Sequence, residues 1–165
     1  MSDLDQILAR YGATIARDAT TIIANDIYAI MDNDEQFVSV PQTAEPPVDT
    51  MAVLPLSKTT IGIKTDLGAP DPEKARFRTG EMFGSLHFTS VGLNGEIGLM
   101  DDDVEKVMMQ QYGGANINEG WEDTPPRPFM GVSTRAYEKI QERLSIVSEG
   151  IVAELEKYTL EPIEV

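Results

Sequence analysis

Apolar residues recur at spacings of three and four from the start of the chain: Leu4, Ile7, Leu8, Tyr11, Ile15, Ala19, Ile22, Ile23, Ile27 and Ile30. That period places them on one face and predicts a helix from Ser2 to about Asp32. Ser2 suits the N-cap, and Asp3 and Asp5 suit the positive end of the helix dipole. Gly12 interrupts an otherwise good helix former run, so a slight break or a close neighbour is expected there. A second stripe begins after Ser133, which has N-cap chemistry. Tyr137, Ile140, Leu144, Val147, Ile151, Leu155 and Tyr158 follow at helical spacing and predict a long helix ending near Tyr158, with a short tail over 159–165.

The pattern between the helices is of another kind. Phe37, Val38 and Val40 suggest a short strand stopped by Pro41. The segment PQTAEPPVDT has no periodicity and reads as loop. In KTTIGIKT (Lys58 to Thr65), Ile61 and Ile63 alternate among β-branched residues, which predicts a strand or edge ribbon. Residues 41–76 as a whole read as an extended Pro-rich loop or arm that reaches for a neighbour. SLHFTSVGL and EIGLM flank Asn94-Gly95, the strongest two-residue hairpin signal in the chain. Asp101 to Asp103 then opens a short helix, DDVEKVMMQQY, stopped by Gly113-Gly114, and ANINEGWEDTPP reads as loop with Trp121 as a possible anchor. The sum is one α+β domain over 1–165: a small antiparallel sheet with a β-hairpin, packed by long N- and C-terminal helices.

Composition changes this picture in one respect. A 165-residue chain with 41% hydrophobic and 25% charged residues is an ordinary globular domain, but its net charge is −15. Such a balance disfavours a DNA-binding face, which needs clustered Lys and Arg. It is compatible with solubility, with nucleic-acid mimicry, or with a surface past which DNA slides without adhering. No apolar run approaches the roughly 18 residues of a membrane span. The opening MSDLDQILAR lacks a basic region and an apolar core, so a secretory signal is not expected. Without Cys there are no disulfides or thiolate metal sites.

Catalytic chemistry has little to stand on. His87 is the one histidine, in the predicted hairpin, so a nucleophile pair would have to be built on it alone. The Asp101 to Asp103 run reads as a charged helix start, because adjacent side chains do not converge on one ion. Neither GxxxxGK nor GxGxxG occurs. No enzyme activity, metal or cofactor is expected.

Three separated pieces carry a resemblance. RTGEMFGSL (Arg78 to Leu86) resembles an Arg-Thr-Gly-x-Leu/Met-x-x-Ser motif, and MMQQYGG (Met108 to Gly114) resembles a Gln-x-Gly element. PPRPFMGVS (Pro125 to Ser133) before a long helix resembles Pro-x-Arg-x-Phe-Leu-Gly-Leu-Ser, with Met130 and Val132 where Leu is usual. In that order they resemble the virion-morphogenesis, or tail-completion, proteins of tailed bacteriophages of the Mu-like type, over about residues 76 to 157. The Pro-rich region from Pro41 to Pro72 is longer than in the simplest members.

The resemblance implies a structural virion protein made in the host cytoplasm. Its subunits form a homo-oligomeric ring, usually a hexamer, at the head–tail junction. The ring completes the tail and joins it to the connector or adaptor, beside the tail tube and terminator proteins, and genomic DNA passes through its lumen. A tail-terminator ring is the close alternative, and an acidic DNA-mimic inhibitor of a nucleic-acid-binding enzyme is the alternative of a different class. The residues expected at a subunit or partner interface are Arg78, Thr79, Gly80, Ser85, Arg127 and Phe129. For Arg78 to Ser85 the competing reading is a strand-entry turn in which Gly80 serves backbone geometry. Phe129 and Met130 are expected to plug into the core, and Arg127 is either paired with an acidic neighbour or a solvated loop residue.

Overall fold

The computed structural model describes residues 3–39, 47–74, 84–99, 107–108, 111–116, 121–124 and 126–159. Helix α1 (Asp3–Asp32) is the axis of the fold. Helix α3 (Thr134–Thr159) runs antiparallel along one side of it. Ion pairs mark the alignment: Arg10 with Glu154, Arg143 with Asp18 at 2.7 Å, and Arg135 with Asp26. Along the opposite side of α1 lies a hairpin of β3 (Leu86–Val91) and β4 (Asn94–Leu99). The α+β class with long terminal helices is therefore observed, with its antiparallel strands in three separate two-stranded pairs.

The apolar stripe of α1 divides because it serves two neighbours. Ile15, Ala19 and Ile22 meet Ile140 and Leu144 of α3, whereas Ala24, Ile27 and Tyr28 meet Leu86 and Ile97 of the hairpin. The main core is built at the C-terminal end of α1, where Ile27, Ile30 and Met31 join Phe37, Leu86, Val107 and Phe129. β1 (Glu35–Phe37) follows a turn in which Asp34 takes φ 53°. It pairs with β2 (Thr50–Ala52), so the strand expected around Phe37 exists. Val40, and the N-caps expected at Ser2 and at Asp101 to Asp103, lie outside the described residues. The short helix expected after Asp101 is seen as helical Val107–Met108 and Gln111–Tyr112.

Four readings of the sequence need correction. First, Lys58 to Thr65 is not a strand but helix α2 (Lys58–Asp66). Ser57 caps it, its hydroxyl accepting from Thr60 N at 3.1 Å, so a local hydrogen bond overrides the β-branched pattern. Second, the supposed arm is structured over 47–74. It holds β2 and α2, buries Val53, and bridges to the start of α3 through Val48 N to Val132 O and Thr134 N to Val48 O, both 3.2 Å. Residues 41–46 and 75–76 of that stretch lie outside the described set.

Third, the hairpin turns at Gly92-Leu93, with Val91 opposite Asn94, and not at Asn94-Gly95. Positive φ occurs at Gly92 alone (59°), as in a type II′ turn. Gly95 has a different duty: a Cβ there would lie 1.7 Å from Thr20 Oγ1, so its absence lets β4 lie against α1. The turn also sets Leu93 over Gly12, the close neighbour expected beside that glycine. Fourth, the segment read as loop after Gly114 contains β5 (Gly114–Asn116) paired with β6 (Trp121–Thr124).

Candidate assembly site

The functional hypothesis begins with where the three motifs go. Gln111, from MMQQYGG, is buried and clamps the backbone of PPRPFMGVS. Its Oε1 accepts from both Phe129 N and Met130 N at 3.0 Å, while its Nε2 donates to Met130 O at 3.0 Å. A primary amide suits this, since it offers an acceptor with two lone pairs and a donor in one plane. With its backbone held, Phe129 points into the core at 0% exposure beside Leu86. Ser85, from RTGEMFGSL, is buried next to Leu86. Pro128 O accepts from Phe37 N at 2.8 Å, tying the same segment to β1.

Three residues further on, Ser133 starts α3 and anchors it. Its hydroxyl accepts from Ala136 N at 3.1 Å, the expected N-cap bond, and donates to Asp26 Oδ2 at 2.5 Å. Asp26 is buried near the C-terminal end of α1, and a buried carboxylate needs partners of this kind. It also accepts from Arg135 Nε, and Arg135 Nη1 reaches Glu35 Oε2 at 3.1 Å. The bond to Asp26 is the main reason the Arg135 guanidinium is held protonated more firmly than usual. Thr134 Oγ1 donates to Asp49 Oδ1 at 2.5 Å, so α1, β1, β2 and the start of α3 meet at one junction.

Of the expected interface residues, the structure brings Ser85 and Phe129 into the buried frame and leaves Arg127 half-buried. Arg78, Thr79 and Gly80 lie outside the described residues. Arg127 sits near Lys64 of α2, whose ammonium is pushed below its ordinary pKa, first by burial and further by the Arg127 charge. Neighbouring Asp34 and Asp71 oppose that shift. Lys64 Nζ donates to Lys74 O. The anchoring roles of Gln111, Asp26 and Arg135 were not foreseen. Gln111 lay inside a quoted motif, but nothing in the sequence pairs a glutamine with a backbone 18 positions away.

The surface is the other half of the site. Among the described residues twelve apolar residues are buried, two of them alanines, whereas fifteen large apolar side chains are exposed. Exposed apolar residues taken singly are ordinary, whereas contiguous patches of them mark interaction surfaces. All four arginines of the two long helices, Arg10, Arg17, Arg135 and Arg143, pair with acids of the same chain. Their charge is thus paired within the chain, whose net charge is −15.

Small-molecule chemistry finds less support. His87 is exposed on β3, its ring against Gly98. Two shallow hollows lie between α1 and its neighbours, lined by packing residues, with room for no more than about one water. Ligand pockets are usually larger, roughly 300–1,000 Å³. Among the described residues no group of three or more His, Asp or Glu could hold a metal ion, and no helix is long and apolar enough to cross a membrane. Comparison with protein-family models, curated proteins and solved structures finds no match to this chain.

Proposed function

We propose that the chain is the repeating subunit of a ring in the neck of a tailed bacteriophage, completing the tail and joining it to the connector. The observation that carries this reading is the set of fifteen large apolar side chains exposed among the described residues of a chain with net charge −15.

Two further features support it. The segments resembling tail-completion motifs meet at one junction through Gln111, Phe129 and Leu86, as expected of pieces of one structural unit. The four arginines of the long helices pair with acids of the same subunit, and the chain as a whole is at −15. In a ring lumen that charge repels the phosphates of a passing genome and keeps it from adhering. The test is electron microscopy of isolated tails incubated with the purified protein. Protein at one tail end supports the neck role, and protein that ignores both ends removes it.

A further inference from the structure

Residues 54–74 leave the body of the fold and return to the place they left. At the entry, Val53 N donates to Asp34 O at 2.9 Å; at the exit, Lys74 Nζ lies 3.2 Å from Asp32 Oδ1. Both ends are therefore fastened to the turn between α1 and β1, as in an Ω-loop. Between them the excursion bonds to itself. Ser57 caps α2, Ala69 N donates to Lys64 O at 2.9 Å, and Lys74 N donates to Asp71 O at 3.1 Å. Lys64 Nζ reaches forward to Lys74 O and closes the loop across ten positions.

Charge does more than apolar burial to hold this unit on the body. Lys64, at 8% exposure, is the one buried residue of 54–74, and α2 packs only lightly on the other helices and strands. The Lys64 ammonium lies near Asp34 and Arg127 of the body and near Asp71 of its own loop, and burial is the first cause that disfavours its charge there. At the exit, the side chains of Lys74 and Asp32 are 32% and 69% exposed, and ion pairs so open to water contribute little. The main core is closed instead by large apolar side chains such as Ile30, Phe37 and Phe129. A segment with little apolar burial and an exposed fastener opens before such a core does.

We infer that 54–74 is a flap that opens from the α1–β1 turn as one unit while the rest of the subunit stays folded, with the Lys74–Asp32 pair as its fastener. Opening carries Lys64 and Asp71 away from Asp34 and Arg127. Arg127, one of the residues expected at a partner interface, thereby gains access to a partner in the open form. Closing buries the Lys64 charge again, which offsets part of what the fastener contributes. The flap is a property of the single subunit and does not depend on the ring.

The test is native-state hydrogen exchange of the full chain, read by mass spectrometry over a series of low urea concentrations. Peptides from 58–67 should exchange at least about tenfold faster than those from 20–31 of α1, with a weaker urea dependence, because opening the flap exposes less surface than unfolding. Asp32→Asn should speed exchange of 58–67 by about two- to fivefold, the range an exposed ion pair supports, and should not speed that of 20–31. The substitution removes a carboxylate from the negative end of α1, so it does not weaken that helix. Lys74→Gln should act on the same peptides and add less in the Asp32→Asn background than alone. Equal protection and equal urea dependence in 58–67 and 20–31 would overturn the flap. Protection that declines steadily from one end of 54–74 to the other would overturn its opening as one unit. Fast exchange in 58–67 that neither substitution alters would overturn the Lys74–Asp32 pair as the fastener.

Discussion

Replacing Gln111 with Met keeps the volume of the side chain and removes its hydrogen bonds. Phe129 N and Met130 N then lose their acceptor, and Met130 O loses its donor. A buried polar group left unsatisfied costs about 1–3 kcal/mol. Phe129 N is fully enclosed, so its share is retained in full. Met130 is half-buried, and water recovers part of its share. The sum is about 2–4 kcal/mol, a large fraction of the roughly 5–15 kcal/mol that holds a domain of this kind. For a chain of this length that lowers Tm by about 5–15 °C. Urea and thermal unfolding followed by far-ultraviolet circular dichroism read the change. Met108→Ala, at an exposed neighbour, is the control and should move stability by no more than about 0.5 kcal/mol. A Gln111→Met protein within about 0.5 kcal/mol of wild type would refute the clamp, because it would mean that neither amide depends on Gln111.

Other expected outcomes follow the same logic. Asp26→Asn should destabilise by about 2–4 kcal/mol in urea titrations, since it leaves Arg135 beside a neutral partner; the partial exposure of Arg135 keeps the loss below that of a fully buried pair. Gly95→Ala should lift the hairpin from α1 at a cost of about 1–3 kcal/mol, and Thr20→Ala in the same chain should recover part of it, a coupling that a double-mutant cycle reads directly. Asp18 and Glu154 are held below the ordinary carboxylate range, chiefly by hydrogen bonds from Arg143 and Arg10 respectively. Their folded-state pKa values are depressed, so their contribution is complete above the unfolded values near 4 and is lost as pH falls through the folded ones. Acid titration of Asp18→Asn should therefore show a flatter loss of stability below about pH 4 than wild type. Because the subunits repel one another, raising salt from about 50 to 500 mM should promote assembly; weakening would show that ion pairs dominate the contact.

The long helices were legible in the sequence because their three- and four-residue spacing is a property of each helix alone. Ser133 was legible for the same reason, its cap bond to Ala136 being local. The hairpin was legible as an element but not in register: Asn94-Gly95 has the better turn chemistry, yet β4 needs Gly95 against Thr20 of α1. That requirement comes from tertiary approach, which local pattern does not encode. Helix α2 was misread because alternating Ile61 and Ile63 imitate a strand, while the helix is set by the Ser57 cap and by the inward turn of Lys64 to Lys74 O. At the junction, Phe129 was expected in the core and is there. Gln111, Asp26 and Arg135 were missed because their partners lie 18 to 109 positions away.

The central claim is that this chain builds a closed ring, and its mass in solution tests that most directly. Light scattering of the purified protein over a concentration series, alone and with tails, should reveal one discrete oligomer, about six subunits if the resemblance to tail-completion proteins holds, with negative-stain images showing a central hole. A species that remains monomer or dimer at every concentration, in both settings, would contradict the account and direct attention to an acidic inhibitor of a nucleic-acid-binding enzyme.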